Sequence, residues 1–115
     1  MNVIINNKEL PLEVMSTPSS ISTGMMGRDN LDGGMLFLFT EVSERSFWMK
    51  NCLIPLDIIF IVKDKVTKVY NNCPPCIGSK CESYYGIADK VLELEANNYD
   101  VTEGGTLEFT DQSFL

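Results

Sequence analysis

Two groups of residues in this 115-residue chain can do chemistry. The first is the run NNCPPCIGSKC at residues 71–81, which sets Cys73, Cys76 and Cys81 in one short loop. Three chemistries fit them, and the spacing leaves all three open. Cys76 and Cys81 can close a small disulfide loop, worth roughly 2 kcal/mol by chain entropy. In a reducing cytoplasm such a bond does not persist unaided. Cys73-Pro-Pro-Cys76 has the Cys-x-x-Cys spacing of a thiol–disulfide centre. That chemistry wants its first thiol at a helix N-terminus, which lowers the thiol pKa. Here Gly78 and the short span argue against a following helix, and the βαβ context of such centres is missing. The same pair is also half of a zinc site, with Cys81 as a third ligand. A fourth thiolate can come only from Cys52, which lies on another strand.

The second group surrounds FWMKNCLIPLDIIFI, residues 47–61, where a Lys-Asn pair interrupts two apolar runs. In a strand Phe47, Met49 and Asn51 share one face, and Trp48, Lys50 and Cys52 share the other. Lys50 can lay its stem across Trp48 and keep its ammonium in water. Asn51 can bond the backbone where the strand breaks before Pro55. Asp57 is a candidate ion-pair partner for Lys50 or Arg28, and a buried pair of that kind fixes register more than it stabilises. The functional alternative gathers Arg28, Lys50, Asn51 and Asp57 around one cleft that suits a carboxylate or phosphate. No paired carboxylates or nucleophile motif accompany them, so catalysis there is the weaker reading.

The composition removes other classes. There is no histidine, which eliminates Ser-His and Cys-His catalysis and the commonest metal ligand. The formal net charge is −7 and unevenly spread: residues 1–81 carry eight acids and eight bases, residues 82–115 eight acids and only Lys90. An acidic third of this kind repels phosphate backbones, so no nucleic-acid partner is expected. The expected partner is an unidentified small molecule or protein, and no cofactor is expected beyond the zinc alternative. No apolar run reaches the ~18 residues of a membrane helix. The opening MNVIINNKELPLEV lacks a basic region followed by a long apolar stretch, so the expected address is cytoplasmic. Apolar content of 44% and charged content of 22% suit one globular domain over residues 1–115.

The elements that must carry these groups read mostly as strands. VIINN and LPLEVM, split by Lys8-Glu9, fit an opening hairpin. Thr17-Pro18 reads as an N-cap with proline at the first helical position. A short helix is therefore expected at residues 18–26, with Ile21 and Met25 on one face, Gly24 weakening it and Gly27 ending it. NLDGG is a turn with Gly33 or Gly34 at positive φ, and MLFLF a buried strand. SERS is expected to turn the chain back into SFWMKN. LDIIFIVK loads both faces as a central strand does. KDK then turns into VTKVYNN. KVLELEAN sets Val91, Glu93 and Glu95 against Leu92, Leu94 and Ala96, so one face is expected to be wet. TLEFT is the last strand. Seven or more short strands and one helix give a mainly β fold, α+β at the margin: a small, mostly antiparallel barrel or sandwich. Trp48 and the methionines Met25, Met26, Met35 and Met49 are expected in the core. Tyr84-Tyr85 either cover the cysteine loop or form a contact patch.

TGMMGRDNLDGGMLFLF, then SFWMKNCLIPLDIIFI, then KVLELEAN together resemble the family called domain of unknown function 192 (DUF192). Its pattern runs Gly-Leu-Met-x-Arg, Gly-Met-Leu-Phe, Phe-Trp-Met-Lys-Asn-Thr-x-x-Pro-Leu-Asp and a late Val-Leu-Glu-Leu strand. The match spans Thr17 to Val101. The resemblance implies a compact β-barrel-like fold with a helical insertion and implies no reaction. The chain departs from the pattern in three places. The family's early Glu-Arg pair is absent from TPSSISTG, and its Thr after Lys-Asn is Cys52. Pro75, Cys76 and Cys81 follow the family's Pro-Cys-x-x-x-x-Cys stretch, whereas Cys73 is an addition.

Overall fold

A computed structural model describes residues 1–111. The chain runs β1 (Asn2–Ile5), β2 (Lys8–Met15), α1 (Pro18–Thr23), β3 (Gly34–Trp48), β4 (Leu56–Val62), β5 (Lys65–Cys73), β6 (Ser83–Glu95) and β7 (Glu108–Thr110). All seven strands join one curled sheet in the order β5-β4-β6-β3-β2-β1-β7, a half-barrel. Every pairing is antiparallel except β2 with β3. A parallel pair cannot be joined by a hairpin. Residues 16–33 therefore cross over one face of the sheet, and α1 lies in that crossover.

Local chemistry accounts for the turns. Asn6 and Asn7 both take positive φ, at 53° and 65°, and Ile5 pairs with Lys8. This is the two-residue hairpin whose twist matches its strands. The turn thus falls on Asn-Asn, and the Lys8-Glu9 step expected to break the strands lies inside β2, because Asn tolerates the left-handed region better than Lys or Glu. Lys63 and Asp64 make the same kind of turn between β4 and β5. At α1, Thr17 Oγ1 accepts from the Ser20 N–H at 3.2 Å, and the Ser20 hydroxyl in turn accepts from the Thr17 N–H at 3.1 Å. The helix ends at Gly24, φ 45°, three residues before the expected Gly27. A side chain at Gly24 would also press on the Phe37 ring, whose Cζ would lie 3.2 Å from an added Cβ.

Two expectations about β3 and β6 fail. SERS is no turn: residues 43–46 continue β3 to Trp48. Its polar look arises because this end of the sheet alternates exposed and half-buried side chains. The pairing with β6 slips between Leu38 and Ser43, so four residues of β3 swing out opposite Asp89 alone. Nor is one face of KVLELEAN wet, since Val91, Leu92, Glu93 and Leu94 are all buried. β6 lies between β3 and β4, and both faces of the sheet are covered there. On the helix side Met35, Phe37, Ile58, Phe60 and Val91 pack against Met25, Leu31, Met49 and Cys52. On the hairpin side Leu36, Ile59, Ile61, Leu92 and Leu94 pack against Val3, Ile5, Leu10 and Leu107.

Candidate functional site

Residues 49–52, the centre of the Lys-Asn question, form a strap over the helix-side face. Asn51 takes φ 59°, a left-handed turn that asparagine tolerates. Its N–H donates to the Cys76 carbonyl at 2.8 Å, and its own carbonyl accepts from the Gly27 N–H at 2.8 Å. The Cys76 N–H donates to the Met49 carbonyl at 3.1 Å. Asn51 therefore meets neighbouring backbone through its own main chain, not through the side-chain amide as expected, and its side chain is exposed. The strap ties together the loop after α1, the cysteine loop and the end of β3. Lys50 Nζ lies 5.3 Å from the Trp48 ring centroid, as its stem was expected to allow. Trp48 itself is on the surface, 45% exposed, with Met49 buried beside it. The expectation of a core tryptophan fails on strand alternation.

A cavity of about 520 Å³ lies between the strap, α1 with its following loop, and the second half of β3. Phe37, Phe39, Phe47 and Met25 supply apolar wall, Lys50 and Arg45 cationic groups, Glu44 and Glu93 carboxyls, and Cys52 a thiol. Arg45 is already engaged: it stacks 3.9 Å from the Phe39 centroid and donates to the carbonyls of Ala88 and Glu41. Lys50 has no carboxylate partner among the described residues.

Glu93 is the unusual member. It sits opposite Met35 on one side and Ile58 on the other, in the middle of the sheet, and is 3% exposed. Among the described residues nothing hydrogen-bonds or ion-pairs with its carboxyl, which faces the cavity. Burial pushes that carboxyl up to about 8, because a low-dielectric site disfavours the charged form. Burial, with Glu93 adding to it, likewise pushes the Cys52 thiol up to about 11.

The four residues expected around one cleft are not gathered in one. Lys50 lines this cavity and Asn51 holds the strap above it. The Arg28 guanidinium turns away and forms a two-pronged pair with Glu13 at 2.9 and 2.8 Å. Asp57 points to the opposite face, beside Ile59 rather than Ile58. It accepts from the Asn72 N–H at 2.8 Å and lines a second, more polar cavity with Tyr99 and Thr102. Its expected pairing with Lys50 or Arg28 therefore does not form. The left-handed turn at Asn51 and the break at Pro55 reset the alternation between Lys50 and Asp57. Sequence reasoning missed Glu93, Arg45 and the aromatic wall. One signal for Glu93 was present: an acid flanked by leucines, in a strand that must pair with the two-faced β4.

Cys76 and Cys81 are joined by a disulfide, while Cys52 and Cys73 are free and buried. Burial pushes the Cys73 thiol up to about 11, against a hydrogen bond with Tyr84 that pulls it down. Tyr84 is buried there and Tyr85 is exposed. Among the described residues no three His, Cys, Asp or Glu side chains stand close enough to hold a metal ion. No helix among them is long and apolar enough to cross a membrane.

The family model for DUF192, described as an uncharacterised ACR, matches residues 1–109. A crystal structure from Sinorhizobium meliloti 1021, of a protein provisionally named a transcription regulator, superposes with TM-score 0.79 at 31% identity over 93% of this chain and 89% of that one. A protein of unknown function from Novosphingobium aromaticivorans DSM 12444 superposes with TM-score 0.77 at 28% identity over 94% of this chain and 82% of that one. No curated protein matches. The chain belongs to the DUF192 family.

Proposed function

From that membership, which brings a fold without a reaction, we propose that this protein is a small non-enzymatic binding module holding an amphipathic small molecule in the cavity under the strap. One observation carries the reading: Glu93, 3% exposed, turns an unpartnered carboxyl into an aromatic-walled cavity of about 520 Å³. Stability alone would favour an apolar side chain at that position. A pocket of this size with few convergent polar groups is the usual form of a ligand site. The lining groups are poor catalysts: the Cys52 thiol is pushed to about 11, and the chain has no histidine.

The test is a nuclear magnetic resonance screen of small amphipathic compounds against the whole chain. Hits should shift the resonances of residues 21–26, 44–48 and 93 together. Binding confined to the cavity around Asp57 and Tyr99, or no binding at all, would overturn the reading.

The thiol–disulfide rival is less well supported. Its first thiol, Cys73, is buried and pushed to about 11, and Cys76 is bonded to Cys81. An attacking thiol wants the opposite environment. The wild type should therefore fail to reduce insulin, and reduction that disappears in Cys73→Ser would revive the rival. A transcription-regulator role, the provisional name of the S. meliloti protein, fits this chain poorly. Its −7 net charge opposes binding to a phosphate backbone. The disulfide favours an oxidising compartment over the expected cytoplasm.

A further inference from the structure

The cavity's two ends differ in a way that selects a ligand. Lys50 carries a positive charge at the rim, beside the exposed Trp48, with no carboxylate partner among the described residues. Arg45 adds a second positive charge held by Phe39 and two carbonyls. The one rim acid is Glu44, which is exposed. Inside, Glu93 has an apolar surround of Met35, Ile58 and Phe37. The titratable groups near it are Cys52 from the strap and Cys73 from β5, both uncharged thiols at neutral pH. The crossover residues 21–26 bring no charge to it. A ligand thus meets net positive charge at the entrance and an apolar wall. The floor then offers an acid whose proton is free to be donated.

Resting on the binding reading above, we infer that the ligand is a small monocarboxylic acid with an apolar body. Its carboxylate is drawn in past the positive charges of Lys50 and Arg45 and accepts a hydrogen bond from the protonated Glu93 carboxyl on the floor, and its body lies against Phe37, Phe47 and Met25. An ammonium ligand would find a carboxyl on the floor but would pass two cations to reach it. A neutral alcohol would use the walls and leave Lys50 unengaged. The ligand arrives ionised and Glu93 already carries the proton, so binding takes up no proton at neutral pH. Above about 8, where Glu93 ionises, each ligand bound must bring one proton with it.

Three probes with one apolar body separate these cases by calorimetry on the whole chain: 3-phenylpropionate, 3-phenylpropylamine and 3-phenyl-1-propanol. At pH 6.5 the acid should bind most tightly. Its affinity should fall as pH rises past about 8, approaching roughly tenfold per pH unit. Glu93→Gln keeps the volume and an N–H donor, so it should still bind the acid, and the fall should vanish. Lys50→Gln should weaken the acid roughly tenfold, through loss of one of the two rim charges that draw it in, and leave the alcohol unchanged. Tighter binding of the amine or alcohol, or a fall that persists in Glu93→Gln, would overturn this inference and leave the cavity a ligand site. Failure of all three probes to bind would overturn both.

Discussion

The two faces of the sheet are built from alternate residues of the same strands, yet they are closed differently. The hairpin-side face carries Leu36, Ile59, Ile61, Leu92 and Leu94 under strands β1 and β7 and the segment leading to β7. Its lids are hydrogen-bonded into the sheet itself through tight turns. The helix-side face carries Met35, Phe37, Ile58, Phe60, Val91 and Glu93 under a six-residue helix, a loop and a strap. Its lid touches the sheet through side chains and a few backbone bonds, and it leaves a cavity. One face is built for stability. The other gives up packing for an adaptable, methionine-containing wall and a buried acid.

Neighbours on β6 let that contrast be broken. The largest effect should come from Glu93 and pH. Its carboxyl ionises at 4.5 in the unfolded chain and at about 8 in the native one. The native state therefore holds the extra proton between those values. The contribution of Glu93 to stability should be full below pH 4.5, fall as pH rises through the window, and level off above about 8, a loss on the order of 4–5 kcal/mol. Urea unfolding of wild type and Glu93→Gln across that range checks it, because the variant should lose the slope. One residue away, Leu92→Ala should cost about 3 kcal/mol at every pH, the usual penalty for emptying a closed core. Equal, pH-independent losses at both positions would erase the distinction between the faces. A smaller effect should follow from the strap's anchor. Reducing Cys76–Cys81 frees a loop worth about 2 kcal/mol of chain entropy. Hydrogen exchange should then rise at residues 49–52 and not in β1 or β2.

The sequence made legible what local chemistry decides. Thr17-Pro18 announces a capped helix start, and IIFIV announces a strand buried on both faces. Family membership followed from four short motifs in order. What stayed hidden depends on contacts distant in sequence. The wet face expected for KVLELEAN was a fair inference from alternation alone. It fails because β4 and β3 flank β6 and the crossover covers the face that Glu93 occupies. SERS looks like a turn because a register slip is invisible without its partner strand. The cleft of Arg28, Lys50, Asn51 and Asp57 assumed that nearness along the chain puts side chains on one side. The left-handed Asn51 and the break at Pro55 together separate Lys50 from Asp57 across the sheet. The disulfide was one of three open readings, and only the fold brings Cys76 and Cys81 together while keeping Cys73 apart with Tyr84.

Trp48 is the chain's single tryptophan, and it stands at the cavity mouth, 45% exposed, with an ammonium 5.3 Å from its ring. The only indole chromophore thus stands where filling of the cavity, as proposed, would change its surroundings. In the empty protein the emission should be red-shifted by water and sensitive to the charge of Lys50. A guest that draws the lysine inward and dries the rim should move that emission to the blue. An emission shift of this kind would read the proposed filling without a label.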